Sequence, residues 1–183
     1  MNILSTKLDG VYLINLERKG DARGNFTRIF CESELADVLE GRQIVQANYS
    51  SNVNIGVVRG MHYQIPPHAE MKLITCVGGC IWDVIVDLRI KSPTYLSWIS
   101  FELSGENEQL LVIPEGCAHG YQVLSPQSNL IYFHTNAYCA EAEGGVRYDD
   151  PILGITWPLP VLGVSLRDLN HPLIGSKFTG LMV

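Results

Sequence analysis

The densest run of groups able to do chemistry is Arg59-Gly60-Met61-His62-Tyr63-Gln64-Ile65-Pro66-Pro67-His68-Ala69-Glu70-Met71-Lys72. Two chemistries compete for it. His62, His68 and Glu70, with the later His119, make an imidazole–carboxylate set suited to Fe, Mn, Ni or Zn. Strand-borne metal sites usually place two histidines one residue apart, whereas five residues, two of them prolines, separate His62 from His68. The alternative is metal-free acid–base work. Histidine ordinarily titrates near neutrality, so His62 can accept a proton. Lys72 can set a positive charge beside a developing oxyanion. Taken singly, His62 reads better as a satisfied core or exposed surface residue, and Lys72 as a solvent-facing one.

Two further tracts carry polar groups among apolar ones. Ile113-Pro114-Glu115-Gly116-Cys117-Ala118-His119-Gly120-Tyr121 reads as a turn leading into a strand that bears His119. In Leu130–Tyr138, period two puts Tyr132, His134, Asn136 and Tyr138 on one strand face. A tyrosine on an inward polar face can donate a proton, although most such residues are amphipathic wall.

These residues need a β framework. Turn signals recur at short intervals, among them Lys19-Gly20-Asp21, Gly78-Gly79, Ser92-Pro93, Ser125-Pro126 and Gly144-Gly145, with β-branched and aromatic segments between them. That spacing predicts one mainly β domain, a sandwich or barrel, over residues 1–183. Cys80–Arg89 is the clearest strand. One face is apolar (Cys80, Trp82, Val84, Val86, Leu88), and the other mixes isoleucines with Asp83, Asp87 and Arg89. The mixed face either lines an interior or meets solvent. Leu8–Leu16 reads as an N-terminal strand, and Ser33–Leu39 as a short helix capped by Ser33 and ended by Gly41.

Composition narrows the classes. With 13 Lys+Arg against 19 Asp+Glu, the 183-residue chain has a net charge of -6, which argues against a general nucleic-acid binder. No apolar run approaches the ~20 residues that span a bilayer. The opening residues lack a secretory pattern, and the 5 cysteines form no Cys-x-x-Cys pair. A cytoplasmic protein with reduced thiols is expected.

Taken together, several stretches resemble the dTDP-4-dehydrorhamnose 3,5-epimerase family of sugar-nucleotide epimerases. They are Asp21–Phe26, Gln46–Ser50, Gly56–Gln64, Lys72-Leu73, Trp82–Arg89, Ser92–Thr94, Ile113–Gly120, Asp149–Pro151 and Ser165–Asp168, and the likeness covers roughly residues 8–174. The resemblance implies a cupin-like double-stranded β-helix (jelly-roll) barrel with short helices, no metal or other cofactor, and a homodimer whose N-terminal strands reach the neighbouring site. It implies that His62 is the base, Asp168 its carboxylate partner, Lys72 the enolate-stabilising group and Tyr132 the acid on the opposite ring face. Arg23, Phe26, Arg28, Gln46, Asn48, Arg59, His119, Tyr138, Glu143 and Arg167 fall where the family meets its nucleotide sugar. The implied substrate is a nucleoside-diphosphate 4-keto-6-deoxyhexose, inverted at C3, C5 or both for deoxysugar and polysaccharide biosynthesis. Nucleic acid and membrane are not implied partners.

Four positions depart from the family pattern. Arg28 stands where members acting on thymidine nucleotides usually carry an acid. Arginine has only donors, which suit N3 and O2 of cytosine, so a CDP-sugar rivals dTDP. The other reading turns Arg28 to solvent and holds the base by stacking on Tyr138 or Phe26. Asn52 takes the place of a common Ser, Phe133 that of a Lys after the tyrosine, and Arg167 that of a Lys before Asp168. Phe133 should point away from Tyr132. A metal-dependent cupin enzyme and a non-catalytic nucleotide-sugar binder are the remaining rivals.

Overall fold

A computed structural model of the chain describes residues 1–175 and 178–183. Its strands are β1 (Asn2–Ser5), β2 (Tyr12–Asn15), β3 (Arg18–Asp21), β4 (Gly24–Thr27), β5 (Gln46–Asn52), β6 (Val58–Gln64), β7 (Lys72–Gly78), β8 (Cys80–Asp87), β9 (Trp98–Ser104), β10 (Gln109–Ile113), β11 (Cys117–Val123), β12 (Ser128–His134) and β13 (Glu143–Gly145). Two one-turn helices, α1 (Ala36–Leu39) and α2 (Leu166–Leu169), complete it with a 3-10 turn at Ala140–Ala142. A six-stranded antiparallel sheet, β1-β2-β10-β7-β12-β5, faces a five-stranded one, β13-β6-β11-β8-β9. β3 and β4 form a separate hairpin. This is the expected jelly-roll class.

Strand alternation sorts the side chains into three apolar groups. Ile74, Cys76, Ile81, Ile85, Leu111, Cys117, Val123 and Leu130 fill the space between the sheets. Leu73, Leu110 and Val112, on the outer face of the six-stranded sheet, are covered by Leu35, Val38 and Leu39 of the α1 region. Met61, Val84, Val86 and Ala118, on the outer face of the other sheet, lie under a C-terminal segment that includes Val146, Leu153 and Ile174. Each buried aliphatic side chain contributes about 1.5–3 kcal/mol, so this cover holds the segment carrying Arg167 and Asp168 in place.

Three local expectations change. The helix starts at Ala36, after Leu35 as N-cap with no side-chain cap bond, while Ser33 contacts Cys31 Sγ instead. The predicted strand at Leu8–Leu16 shortens to β2, because Asp9-Gly10 turns the chain with Gly10 at φ +73°. The strand predicted to run to Tyr138 ends at His134, where Asn136 bonds back to the Pro67 carbonyl at 3.2 Å. The mixed face of β8 lies inside. Asp83 is buried in the interior, whereas Asp87 is tied into the following turn by Arg89, Ser92 and Thr94.

Candidate active site

The filling between the sheets gives way to a polar cavity of about 290 Å³, lined by residues of both. β6 supplies Arg59 and His62, and β11 supplies His119 and Tyr121. From the other sheet come Lys72 on β7, Tyr132 and His134 on β12, and Asn48 on β5.

Arg59 and His62 line the same cavity although three residues apart, a spacing that a regular strand would put on opposite faces. The pairing of β6 with β11 slips between His119 and Tyr121. Two glycines allow it. Gly60 has φ +117°, and a Cβ there would meet the Gly120 Cα at 2.6 Å. A Cβ on Gly120 would meet the Met61 sulfur at 2.6 Å. The Gly60 N–H donates to Asp168 Oδ2 at 3.1 Å, and Asp168 Oδ1 lies 2.7 Å from His62 Nε2. Ser165 caps the short α2 turn through the Asp168 N–H. Burial alone would raise the Asp168 carboxyl. The bond and charge of His62, with Gly60 and Ser165, hold it down to about 2. The nitrogen facing Asp168 keeps its proton, leaving the other ring nitrogen as the basic one.

On the opposite wall, Lys72 Nζ lies 3.3 Å from Glu70 Oε1 and donates to the His62 carbonyl at 3.3 Å. Tyr132 stands between two imidazoles, with the His119 ring edge-on at 6.2 Å and the His134 ring near-parallel at 6.1 Å. Burial, reinforced by the Tyr121 hydroxyl, raises the Tyr132 phenol well above its ordinary value. It therefore holds its proton at neutral pH. His119 Nε2 meets Asp83 Oδ2 at 2.8 Å, and Asp83 Oδ1 is buried without a partner. Burial raises the Asp83 carboxyl while His119 opposes the rise. At the mouth, Glu143 Oε2 accepts from both the Tyr138 hydroxyl and Arg167 Nη1, each at 2.9 Å.

Comparison with known proteins places this site in a family. The model of the dTDP-4-dehydrorhamnose 3,5-epimerases matches residues 5–176. The chain belongs to the dTDP-4-dehydrorhamnose 3,5-epimerase family. It is 39% identical to the enzyme of that name from Sinorhizobium fredii, over 94% of this chain and 89% of the relative. It is 36% identical to a dTDP-4-dehydrorhamnose 3-epimerase of Streptomyces niveus, over 100% of this chain and 88% of the other. Among solved structures, a dTDP-6-deoxy-D-glucose-3,5-epimerase of Legionella pneumophila in complex with dTDP-4-keto-L-rhamnose superposes with a TM-score of 0.89. That pair is 38% identical and covers 94% of this chain and 92% of the other. As a member of this epimerase family the chain is an isomerase.

Most residues that the family pattern singled out meet in the cavity: His62, Lys72, Tyr132, Asn48, Arg59, His119, Tyr138, Glu143 and Arg167 line it, and Asp168 bonds His62 from beside it. Gln46 joins through Asn48 Oδ1 at 3.3 Å. Arg23, Phe26 and Arg28 do not reach this chain's own cavity. Arg23 is 90% exposed and paired with Asp21, Phe26 is 67% exposed, and Arg28 binds Glu34 at 2.6 Å. Glu34 is also bound by the chain's amino terminus, which with Arg28 lowers its carboxyl to about 2.

The alternative metal set is not gathered. Asp83 engages His119, and Glu70 bridges Lys72 and His134. Among the described residues, the metal-capable side chains within 4.8 Å of one another are His62, Asp168 and His171. Arg167 sets a cation beside them, 3.5 Å from His62 Nε2 and 3.7 Å from Asp168 Oδ1, which opposes a metal ion there. Phe133 does point away from Tyr132 and stacks on Phe30 at 5.5 Å. Asn52 is structural: it accepts from the Tyr121 hydroxyl at 3.1 Å and donates to the Ser128 carbonyl at 3.0 Å. Sequence reading assigned no role to Tyr121, Ser50 or His171, and it missed the pairing of Glu70 with His134. Period two had already put His134 beside Tyr132, and that was the available signal.

Proposed function

We propose that the protein inverts C3, C5 or both of a dTDP-linked 4-keto-6-deoxyhexose, with His62 as base and Tyr132 as acid. The observation that carries this reading is the split of the machinery between two walls. The His62–Asp168 pair comes from the five-stranded side, and Tyr132 and Lys72 come from the six-stranded side of one cavity. A ketone at C4 acidifies the neighbouring C–H bonds, since the carbanion delocalises onto the ketone oxygen. His62 takes the proton, and Asp168 stabilises the imidazolium that forms. Lys72 neutralises the enolate oxygen, a role worth ~3 kcal/mol for donors of this kind. Tyr132, still protonated, returns a proton from the other face, and the configuration inverts.

Arg59, Asn48, Gln46, Tyr138, Glu143 and Arg167 hold the nucleotide sugar in this reading, with arginine suited to the diphosphate. The β3–β4 hairpin carries Arg23 and Phe26 outward, which supports a homodimer in which each hairpin completes the neighbour's site. Arg28 meets Glu34 through Nη1 alone, and dTDP is favoured over CDP because the relatives are named for dTDP-sugars. Calorimetric titration tests the base: dTDP should bind and CDP should bind more weakly. Incubation with dTDP-4-keto-6-deoxyglucose tests the reaction, and NMR should show the inverted product. A ligand bound without turnover would favour a binding module instead.

A further inference from the structure

Four hydrogen bonds and a closing ion pair join end to end beside the cavity, and each hydrogen bond fixes the direction of the next. The Tyr138 backbone N–H can only donate, and it meets Gln46 Oε1 at 3.0 Å. The Gln46 amide nitrogen is thereby turned to Asn48 Oδ1 at 3.3 Å. That turns the Asn48 amide nitrogen to His134 Nε2 at 3.2 Å, and this ring nitrogen must accept. The proton of a neutral His134 therefore sits on Nδ1, 2.8 Å from Glu70 Oε2. The other Glu70 oxygen lies 3.3 Å from Lys72 Nζ. His134 is 8% exposed, and its ring lies nearly parallel to Tyr132 with an interplanar angle of 14°.

We propose that His134, as a neutral Nδ1-protonated ring held between Asn48 and Glu70, is a positioning residue that couples the substrate-contacting amides to the Lys72 ammonium. This rests on the reaction proposed above. Neither Glu70 nor His134 is among the residues to which the family likeness assigns a role, so the pair is an addition to them. Its work is orientation. Glu70 holds the ammonium against the free motion of a four-carbon stem, and His134 holds Glu70. The burial of Glu70 would raise its carboxyl, but His134 and Lys72 lower it, so it stays an anion able to hold the lysine. A doubly protonated His134 would set N–H against N–H at Asn48. Gln46 cannot turn to relieve this without stranding the Tyr138 N–H. The same ring packs along Tyr132, so one side chain fixes the acid, the ammonium and a substrate amide together.

Three variants of the full-length protein test this, assayed with dTDP-4-keto-6-deoxyglucose. His134→Phe keeps the ring and loses both hydrogen bonds. His134→Gln can still accept from Asn48 and donate to Glu70. Glu70→Gln turns an amide N–H toward Lys72 or strands the His134 proton. The phenylalanine variant and E70Q should lose about tenfold to a hundredfold in kcat, with KM moving less. H134Q should stay within about threefold of the parent protein, since it retains both bonds. Nitrogen-15 spectra of the histidine rings should show, near neutral pH, an Nδ1-protonated ring that is absent in H134Q. Wild-type kcat in H134F, an equal loss in H134Q, or an Nε2-protonated His134 would overturn the proposal. Should H134F not fold, E70Q and the ring spectrum of the parent decide. If the parent itself fails to turn over the sugar nucleotide, the functional reading fails; the spectrum still reports on His134.

Discussion

At the residue scale, the site works by giving each group a different charge state through its surroundings. Asp168 is buried yet bonded to His62, Gly60 and Ser165, so it remains an anion. Its stabilising contribution is complete above the ordinary carboxyl pKa of roughly 4 and is lost as pH falls toward the folded value. Acid unfolding followed by circular dichroism should therefore weaken the parent protein steeply between about pH 4 and 2. Asp168→Asn should flatten that dependence, and identical acid limbs in the two proteins would contradict the assignment. Desolvation of the partly buried Tyr132, reinforced by the Tyr121 hydroxyl, raises its phenol, so it holds its proton and can serve as the acid in the proposed reaction. Tyr132→Phe should leave His62 able to abstract a proton but with no donor on the other face. Deuterium then exchanges into the substrate with retained configuration, and NMR of the recovered sugar should show label without the epimer. Full epimerisation by that variant would remove Tyr132 as the acid.

At the element scale, the decisive feature is the close passage of β6 and β11 at Gly60 and Gly120. The irregular pairing there brings Arg59 and His62 to one side and presents the Gly60 N–H to Asp168. Gly120→Ala would press a Cβ against the Met61 sulfur and the Arg59 carbonyl, costing about 1–3 kcal/mol of stability as overpacking does. Denaturant unfolding should show that loss together with a fall in kcat, and a variant of unchanged stability and activity would contradict the role given to the slip. The sequence made much of this legible. His62 and Lys72 stood out by type as acid–base candidates, the roles of Tyr132 and Asp168 came from the resemblance to the epimerase family, and β8 stood out by strict alternation. Other features depend on tertiary contacts that local pattern does not carry. Asp83 meets His119 only once β8 and β11 pair, and Glu70 meets His134 only across β12 and the segment before β7. The helix boundary shifted because burial of Leu35, Val38 and Leu39 mattered more than the cap at Ser33.

At the scale of the whole molecule, two walls are needed because inversion requires groups on both faces of the ring. The jelly roll supplies them as opposed sheets, and the C-terminal segment adds Asp168 from outside the five-stranded sheet. The β3–β4 hairpin fits the same scheme if the molecule is a dimer, since its Phe26 and Arg23 stand clear of their own cavity. Co-expressing Arg23→Ala with His62→Ala tests the exchange. Each variant alone should be nearly inactive, while a mixed dimer with one of its two sites intact should show about half of the parent activity, or about a quarter for a randomly mixed population. No recovery in verified mixed dimers would place Arg23 in the service of its own chain.

The most direct measurement is solvent-deuterium incorporation at C3 and C5 of dTDP-4-keto-6-deoxyglucose in heavy water, read position by position for the parent protein and for His62→Ala. The expected result is label at the inverted carbons with the parent and none above background with the variant. Undiminished incorporation by the variant would contradict the assignment of His62 as the base on which the mechanism turns.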